Sequence, residues 1–496
     1  VGSWALTAGE VRAVTAATTR PLTAVFGAAG FQQPPLYEVV LSGWVTLFGS
    51  TPASVRSLSL LFAVGTILGT YLLGRELFEE STGLMGAFVL AMSTLHIHVA
   101  RVAGSAALFA LLTVVSWWAF TRVGRSDART SVSYVLATAA LVYTHGAGLF
   151  VLLAQWLYVG FSETRCGVAL EDWGKIQAVL LAVLVPAAAA VWRQLVVPGP
   201  AMVKSALWAD LPTRDVLMRT ILGFVGYPSH YPFLVDSAAI YVVAVTLLLL
   251  GAAMLVLAIA SYHPDYGFVL TARDGTAQMG VLFVVGLLGP LGVATVLPPS
   301  YDPLWALPAS VALALLVAEG ITNVPDRRLQ AVVLVALAVS SGLLIGGYLA
   351  TESVEPWDDA TAHLHANAQP EDLVVVQPGW ATDAVEHSYR RAGGPPVDIV
   401  AASGSDGISD AVEGPVPPDR RIWVIHVGAD VVEAGVGGLA ESHVRAGTVR
   451  FGWIRLARFE PAERSTPAAH RASVPGGSDP AAPSLSSIAR VRSPAS

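Results

Sequence analysis

The chain has 496 residues, of which 54% are hydrophobic and 13% charged. Soluble domains carry about 25% charged residues, so the composition excludes a purely soluble protein and implies several membrane spans. Residues 1–350 hold 17 acids and 17 bases, and residues 351–496 hold 19 acids and 12 bases. The net charge of −7 therefore lies wholly in the C-terminal part, and that acidity argues against nucleic acid as a partner.

Lys175 and Lys204 are the only lysines, a preference for arginine that suits a GC-rich genome or a salt-adapted host. Cys166 stands alone, which rules out an intramolecular disulfide or a multi-cysteine metal site. Val1 opens the sequence with no signal-peptide pattern behind it, and a further span is expected upstream.

Residues 1–53 read as a polar external loop followed by a short apolar helix over 34–49, started by Pro34-Pro35 where a missing N–H costs nothing. With Glu38 inside it, that helix is read as interfacial rather than spanning. Apolar runs of spanning length follow at 54–77, 82–99, 103–122, 132–161, 176–195, 238–260, 278–298, 303–320 and 329–350. The run 132–161 is long for one span. Read as two short crossings that turn near His145-Gly146, it places Arg165, Lys175, Arg273, Arg327 and Arg328 on the cytoplasmic side with Arg122, Arg125 and Arg129. Positive charge prefers that side. This gives about ten crossings, and puts the loop 196–237 and everything after residue 350 outside the cell membrane.

The part over 351–460 reads as a small soluble α/β domain. Its predicted strands are the β-branched runs at 373–377, 397–400 and 422–425, with a last one near 448–458, and helical stretches fall near 357–368, 381–392 and 429–444. Residues 461–496, rich in Pro, Ser, Ala and Gly, read as a disordered tail.

Several short elements occur in a telling order. They are Gln33-Pro34-Pro35-Leu36-Tyr37, Leu47-Phe48-Gly49, Arg56 and Leu73-Gly74-Arg75-Glu76-Leu77-Phe78. Tyr143-Thr144-His145 with Gly148-Leu149-Phe150 comes next, then Trp357-Asp358-Asp359-Ala360 through Gln369-Pro370-Glu371-Asp372. The ordered set resembles the integral-membrane glycosyltransferases of the protein mannosyltransferase and aminoarabinose transferase group, which share the C-type fold. The resemblance covers roughly residues 3–460. It implies a polytopic α-helical membrane domain with an extracytoplasmic α/β domain. It also implies transfer of a sugar from a polyprenyl (dolichyl-type) phosphate to a protein, lipid or glycan acceptor at the outer face of the membrane, with no soluble cofactor and no metal.

In the group it resembles, an acid in the first external loop acts on the acceptor. Here that place holds Gly9-Glu10 after Ser3-Trp4, so Glu10 is the expected catalytic base and its acidic neighbour is replaced by glycine. The family's histidine before the prolines is Gln33; a Glu-Ala-Arg-x-Tyr element reads Arg101-Val102-Ala103-Gly104-Ser105-Ala106; a late Arg-Tyr reads Ser300-Tyr301. Expected substrate-binding residues are Gln33, Tyr37, His98, Arg101, His145 and Asp302, with Arg101 holding the donor phosphate by charge-assisted hydrogen bonds.

Each has a plainer reading beside it. Glu10 is otherwise a solvated loop carboxylate, with Asp210 or Asp215 supplying the acid instead. Arg101 and Arg56 are otherwise snorkelling interfacial cations, Tyr37 a headgroup-level anchor and Asp302 a turn residue. His145 otherwise bonds backbone freed by the helix break. His96 and His98, two apart, fall on different faces of a helix and do not form a zinc pair. Two other function classes stay open at this point: a non-catalytic relative that binds lipid or a partner, motivated by Gly9, Val102 and Gly104, and a transporter, against which stands the scarcity of charges inside the spans.

Overall fold

The computed structural model describes residues 6–19, 34–124, 128–162, 167–188, 238–263, 267–270, 273–296, 303–350, 356–377, 379–393, 395–402, 420–427, 442–452 and 454–462, with isolated positions at 192, 220, 221, 223, 224 and 439. Helices build the first part: α1 (Ala8–Thr19), α2 (Leu36–Phe48), α3 (Pro52–Leu77), α4 (Glu80–Ala91), α5 (Thr94–Arg101), α6 (Ser105–Phe120), α7 (Ala128–Thr144), α8 (Gly148–Phe161) and α9 (Leu170–Leu184). After α10 (Ala238–Ile259), a hairpin of β1 (Ala260–His263) and β2 (Gly267–Leu270) leads to α11 (Asp274–Val296), α12 (Leu307–Thr322) and α13 (Arg327–Ala350).

Local chemistry sets the boundaries. Thr51 caps α3 by accepting from the Ser54 N–H, and Pro52 takes the first helical position, where it has no hydrogen bond to lose. Gly49, at φ 79°, ends α2 in a conformation that other residues avoid. The expected span 82–99 is instead two helices bent by 63° at Met92-Ser93. The cause is a capping residue inside the apolar run: the Ser93 side chain accepts from the His96 N–H and starts a new helix. The run 132–161 breaks at His145-Gly146-Ala147, as its length and composition predict. Tyr134 donates to Gln155 at 2.9 Å across that break, so the two halves fold back on each other.

Among the described residues, four helical segments are long and apolar enough to cross a bilayer (Pro52–Leu77, Asp274–Val293, Leu304–Thr322 and Arg327–Leu349), and the bent pair makes five if it counts as one span. The ten crossings expected from sequence include shorter apolar helices such as Ser105–Phe120 and Gly148–Phe161. The bundle core gathers Trp117, Phe120, Tyr134, Tyr158 and Trp173. A polar chain threads it from an exposed Trp156 through buried partners: Trp156 to Gln177, Gln177 to Tyr134, Tyr134 to Gln155, Gln155 to Ser116, and Ser116 to Thr138. In lipid every such group must find a partner within the protein, and here each link joins two helices. The end of the bundle opposite the site described below is fastened by Arg122–Glu76 at 2.7 Å, Arg273–Glu319 at 2.8 Å and Tyr158–Asp274.

Glycines let α3 and α4 cross closely. A Cβ at Gly83 would lie 2.6 Å from the Tyr71 carbonyl oxygen and 2.8 Å from the Arg75 nitrogen, and one at Gly74 would lie 2.7 Å from Gly83 Cα. Backbone cannot yield as a flexible side chain does. Gly83→Val is therefore expected to lower stability by about 2–3 kcal/mol, read as an earlier thermal unfolding of the detergent-solubilised chain. Gly160→Ala, in open space, should leave the transition where it is.

The C-terminal domain consists of α14 (Trp357–Asn367), β3 (Leu373–Gln377), α15 (Thr382–Ala392), β4 (Asp398–Ala401), β5 (Ile422–Val427), β6 (His443–Phe451) and β7 (Ile454–Pro461). The sheet order is β4-β3-β5-β7-β6, parallel through β4, β3 and β5 and antiparallel beyond. The expected single strand near 448–458 is two strands turned at Gly452, whose φ of 55° suits a tight reversal. Of the expected helix 429–444, residues 443–444 are strand, 439 and 442 lie outside regular structure, and the rest falls outside the described residues, as do 463–496 of the expected tail. Val374, Val376, Trp423 and Leu456 pack one sheet face against α14, α15 and, through Ala8, the opening helix α1. The first helix and the last domain are thus one packed unit.

Candidate functional site at the end of the bundle

The site begins with a capping motif. Thr7-Ala8-Gly9-Glu10 is a capping box: the Glu10 N–H donates to Thr7 Oγ1 at 3.3 Å, and the Thr7 N–H donates to Glu10 Oε2 at 2.8 Å. It turns the expected external loop into helix α1 and fixes the carboxylate at its start. Glu10 then reaches across the chain. Arg56 Nε donates to Oε1 and Arg56 Nη2 to Oε2, both at 2.8 Å, and the Ala103 N–H donates to Oε1 at 2.8 Å. Each carboxylate oxygen accepts two hydrogen bonds, and the side chains of Glu10 and Arg56 are 0% and 5% exposed. Three segments far apart in sequence meet on one acid: the start of α1, the first turn of α3, and the link between α5 and α6.

That link is the stretch Arg101-Val102-Ala103-Gly104-Ser105, expected from sequence to hold Arg101 as a ligand for phosphate. Arg101 is half-buried in the last turn of α5, its guanidinium carbon 5.2 Å over the Tyr348 ring. His98, one turn earlier, has its Nδ1 3.0 Å from the Tyr348 hydroxyl. Gly104 precedes α6 with no capping side chain, and the space beside it is open to 4 Å. The first amides of a helix lack intrahelical partners and favour an anion. Arg101 and the start of α6 therefore form a cationic, N–H-rich corner beside the Glu10 clamp.

The other expected residues have distinct places. Tyr37 is not at the surface: it is 4% exposed and packs with Leu41, Val55 and Leu58 beneath α1. His145 sits in the helix break, where Nδ1 accepts from the Ala147 N–H at 3.1 Å and the ring lies against Phe109 and Trp305. His96 bonds the Ala63 carbonyl at 3.0 Å inside the bundle. Gln33, Asp302, Asp210 and Asp215 lie outside the described residues. Sequence reasoning left two contributors unused. The Thr-x-x-Glu signature before a helix could have identified the capping box; nothing local marks Tyr348, which arrives from the far end of the last span.

The membrane bundle and the C-terminal sheet domain define a fold, that of the C-type integral-membrane glycosyltransferases. Comparison with solved structures gives the same fold. ArnT from Cupriavidus metallidurans in the apo state is 14% identical, with a TM-score of 0.53, 93% of this chain and 95% of that one being covered. The same enzyme bound to undecaprenyl phosphate superposes with a TM-score of 0.51 at 14% identity, over 93% and 95% of the two chains. The archaeal oligosaccharyltransferase AglB from Archaeoglobus fulgidus, in complex with an inhibitory peptide and a dolichol-phosphate, is 12% identical, with a TM-score of 0.52 over 94% of this chain and 72% of that one. Within the fold, residues 32–192 match the family model for dolichyl-phosphate-mannose-protein mannosyltransferase, which agrees with the resemblance carried by the sequence elements. A search of curated proteins found no significant match.

Proposed function

We propose that the chain is a glycosyltransferase that takes a sugar from a polyprenyl phosphate and passes it to an acceptor on the non-cytoplasmic side of the membrane. One observation carries the reading: Glu10 ties the opening helix to Arg56 and to the backbone next to Arg101, so a carboxylate and a phosphate-binding corner share one end of the bundle. Sugar transfer from a lipid phosphate needs that pairing. The leaving phosphate gains charge as the glycosidic bond breaks, and preorganised cations and N–H groups stabilise it. Arg101 and the start of α6 take that role, with His98 beside them.

Glu10 is the proposed carboxylate for the acceptor hydroxyl. With four hydrogen bonds in place, it must release one to receive a proton. A backbone amide, that of Thr7 or of Ala103, is the cheaper to give up, a neutral donor worth about 1 kcal/mol, whereas releasing Arg56 strands a buried charge. Gln33 and Asp302, outside the described residues, stay proposed substrate residues, whereas the burial of Tyr37 and the backbone bond of His145 inside the helix break favour structural roles for these two.

The test uses purified protein in liposomes with dolichyl-phosphate-mannose or undecaprenyl-phosphate-aminoarabinose as donor. Release of the polyprenyl phosphate is the expected result, and Arg101→Gln should raise the KM for donor by about tenfold or more, the loss of a charge-assisted hydrogen bond. No turnover by the wild type with either donor, or an unchanged KM in the variant, would count against the assignment.

A further inference from the structure

We infer that Tyr348 is a positioning residue for the donor phosphate, holding Arg101 by its ring and His98 by its hydroxyl. The inference rests on the phosphate-binding role of Arg101 proposed above.

Tyr348 lies two residues before the end of α13, Ala350. Its helix offers little other reason for an aromatic there. Leu343 and Leu349 are 62% and 51% exposed, as lipid-facing residues are, and Gly346 is exposed beside them. Tyr348 is half-buried because it turns onto α5 instead. Its contacts there reach both side chains. The Arg101 guanidinium lies over the ring face and also bonds the hydroxyl, and the hydroxyl meets His98 Nδ1 with the two rings nearly perpendicular, at 75°.

An arginine side chain carries about 2 kcal/mol of rotamer freedom, which an anion must otherwise freeze when it binds. A guanidinium already stacked on an aromatic face presents its N–H fork at low ordering cost. The hydroxyl does the same for the imidazole one turn back, fixing which nitrogen faces outward. A plain headgroup-anchoring tyrosine would use its ring against lipid and its hydroxyl against water; here both are spent on Arg101 and His98 of α5. Because Arg101 and His98 are one turn apart on one face, a single tyrosine holds both.

The experiment measures binding of dolichyl phosphate and of uncharged dolichol to the full chain in detergent. The preference for the phosphate over the alcohol is a readout that loss of packing alone would not move. Wild type is expected to prefer the phosphate. Tyr348→Leu should cut that preference about tenfold, and Tyr348→Phe, which keeps the ring, about threefold. In an Arg101→Gln background, Tyr348→Leu should lower it only about threefold instead of tenfold, the share carried through His98, since the rest of its effect runs through the arginine. An unchanged preference in Tyr348→Leu, or additive losses in the double variant, overturns the inference. If the leucine variant does not fold, Tyr348→Phe decides by itself. A wild type without any preference would instead sink the donor assignment on which this role depends.

Discussion

Glu10→Ala is expected to abolish sugar transfer and to lower the unfolding temperature, whereas the double variant Glu10→Leu/Arg56→Met is expected to regain the stability without the activity. The reasoning starts from burial. Arg56 and Glu10 are almost wholly excluded from solvent and form two parallel hydrogen bonds. Removing one partner leaves a buried charge uncompensated, at roughly 3–5 kcal/mol. Replacing both with apolar groups of similar volume is often neutral. Losing the carboxylate also frees the Ala103 N–H and half of the capping box, for about 1 kcal/mol each, so the double variant should fall slightly below wild type. Activity follows different logic. If Glu10 meets the acceptor hydroxyl, transfer drops by about 10²–10⁴ in every variant that lacks it. Thermal unfolding and donor turnover measured on the same preparations separate the two effects. A double variant as unstable as Glu10→Ala would refute the buried-charge argument. One that transfers sugar at the wild-type rate would remove Glu10 from the chemistry.

Much of the architecture is legible in local sequence because membrane helices obey a short list of constraints. The excess length of 132–161, with His145-Gly146 at its middle, gives the helix break directly. The β-branched runs at Leu373–Gln377 and Ile422–Val427 give buried parallel strands. What escaped has physical causes. The bend at Ser93 is a polar cap hidden in an apolar run. Strands β6 and β7 merged into one prediction because β6 is exposed along most of its length and shows no alternation of polar and apolar residues. The Glu10–Arg56 bond spans 46 residues and the Tyr348–His98 bond 250. No periodicity encodes such pairings; they follow from how the helices pack. The replaced family positions are informative for the same reason. Gly9 is the second helical residue inside a capping box, and Gly104 opens space at the start of α6.

The C-terminal domain should matter to the site through α1, and Asp372 provides the means to show it. Its carboxylate accepts from Arg421 Nε and Nη2 at 3.1 and 2.7 Å, from Trp423 Nε1 at 2.9 Å and from the Gln369 N–H at 2.9 Å. It thereby fastens the loop before β3 to the start of β5 and orients Trp423 in the core that also contains Ala8 of α1. Asp372→Ala strands the Arg421 guanidinium, 14% exposed, and an indole N–H. The expected cost is roughly 3 kcal/mol, a large share of the stability of a domain this small. The sheet domain of the full-length variant should then become protease-sensitive while the bundle stays protected. Since Ala8 packs against that sheet and sits three residues or fewer from both ends of the Thr7–Glu10 capping box, opening the domain withdraws the support of α1, and transfer should fall with it. Arg421→Leu in the Asp372→Leu background removes the stranded charge, though not the unpaired indole N–H, and should restore most of the protease resistance and turnover. Proteolytic opening of the domain with transfer undiminished would show that Glu10 is held by the bundle alone, and that the domain's contact with α1 has no part in catalysis.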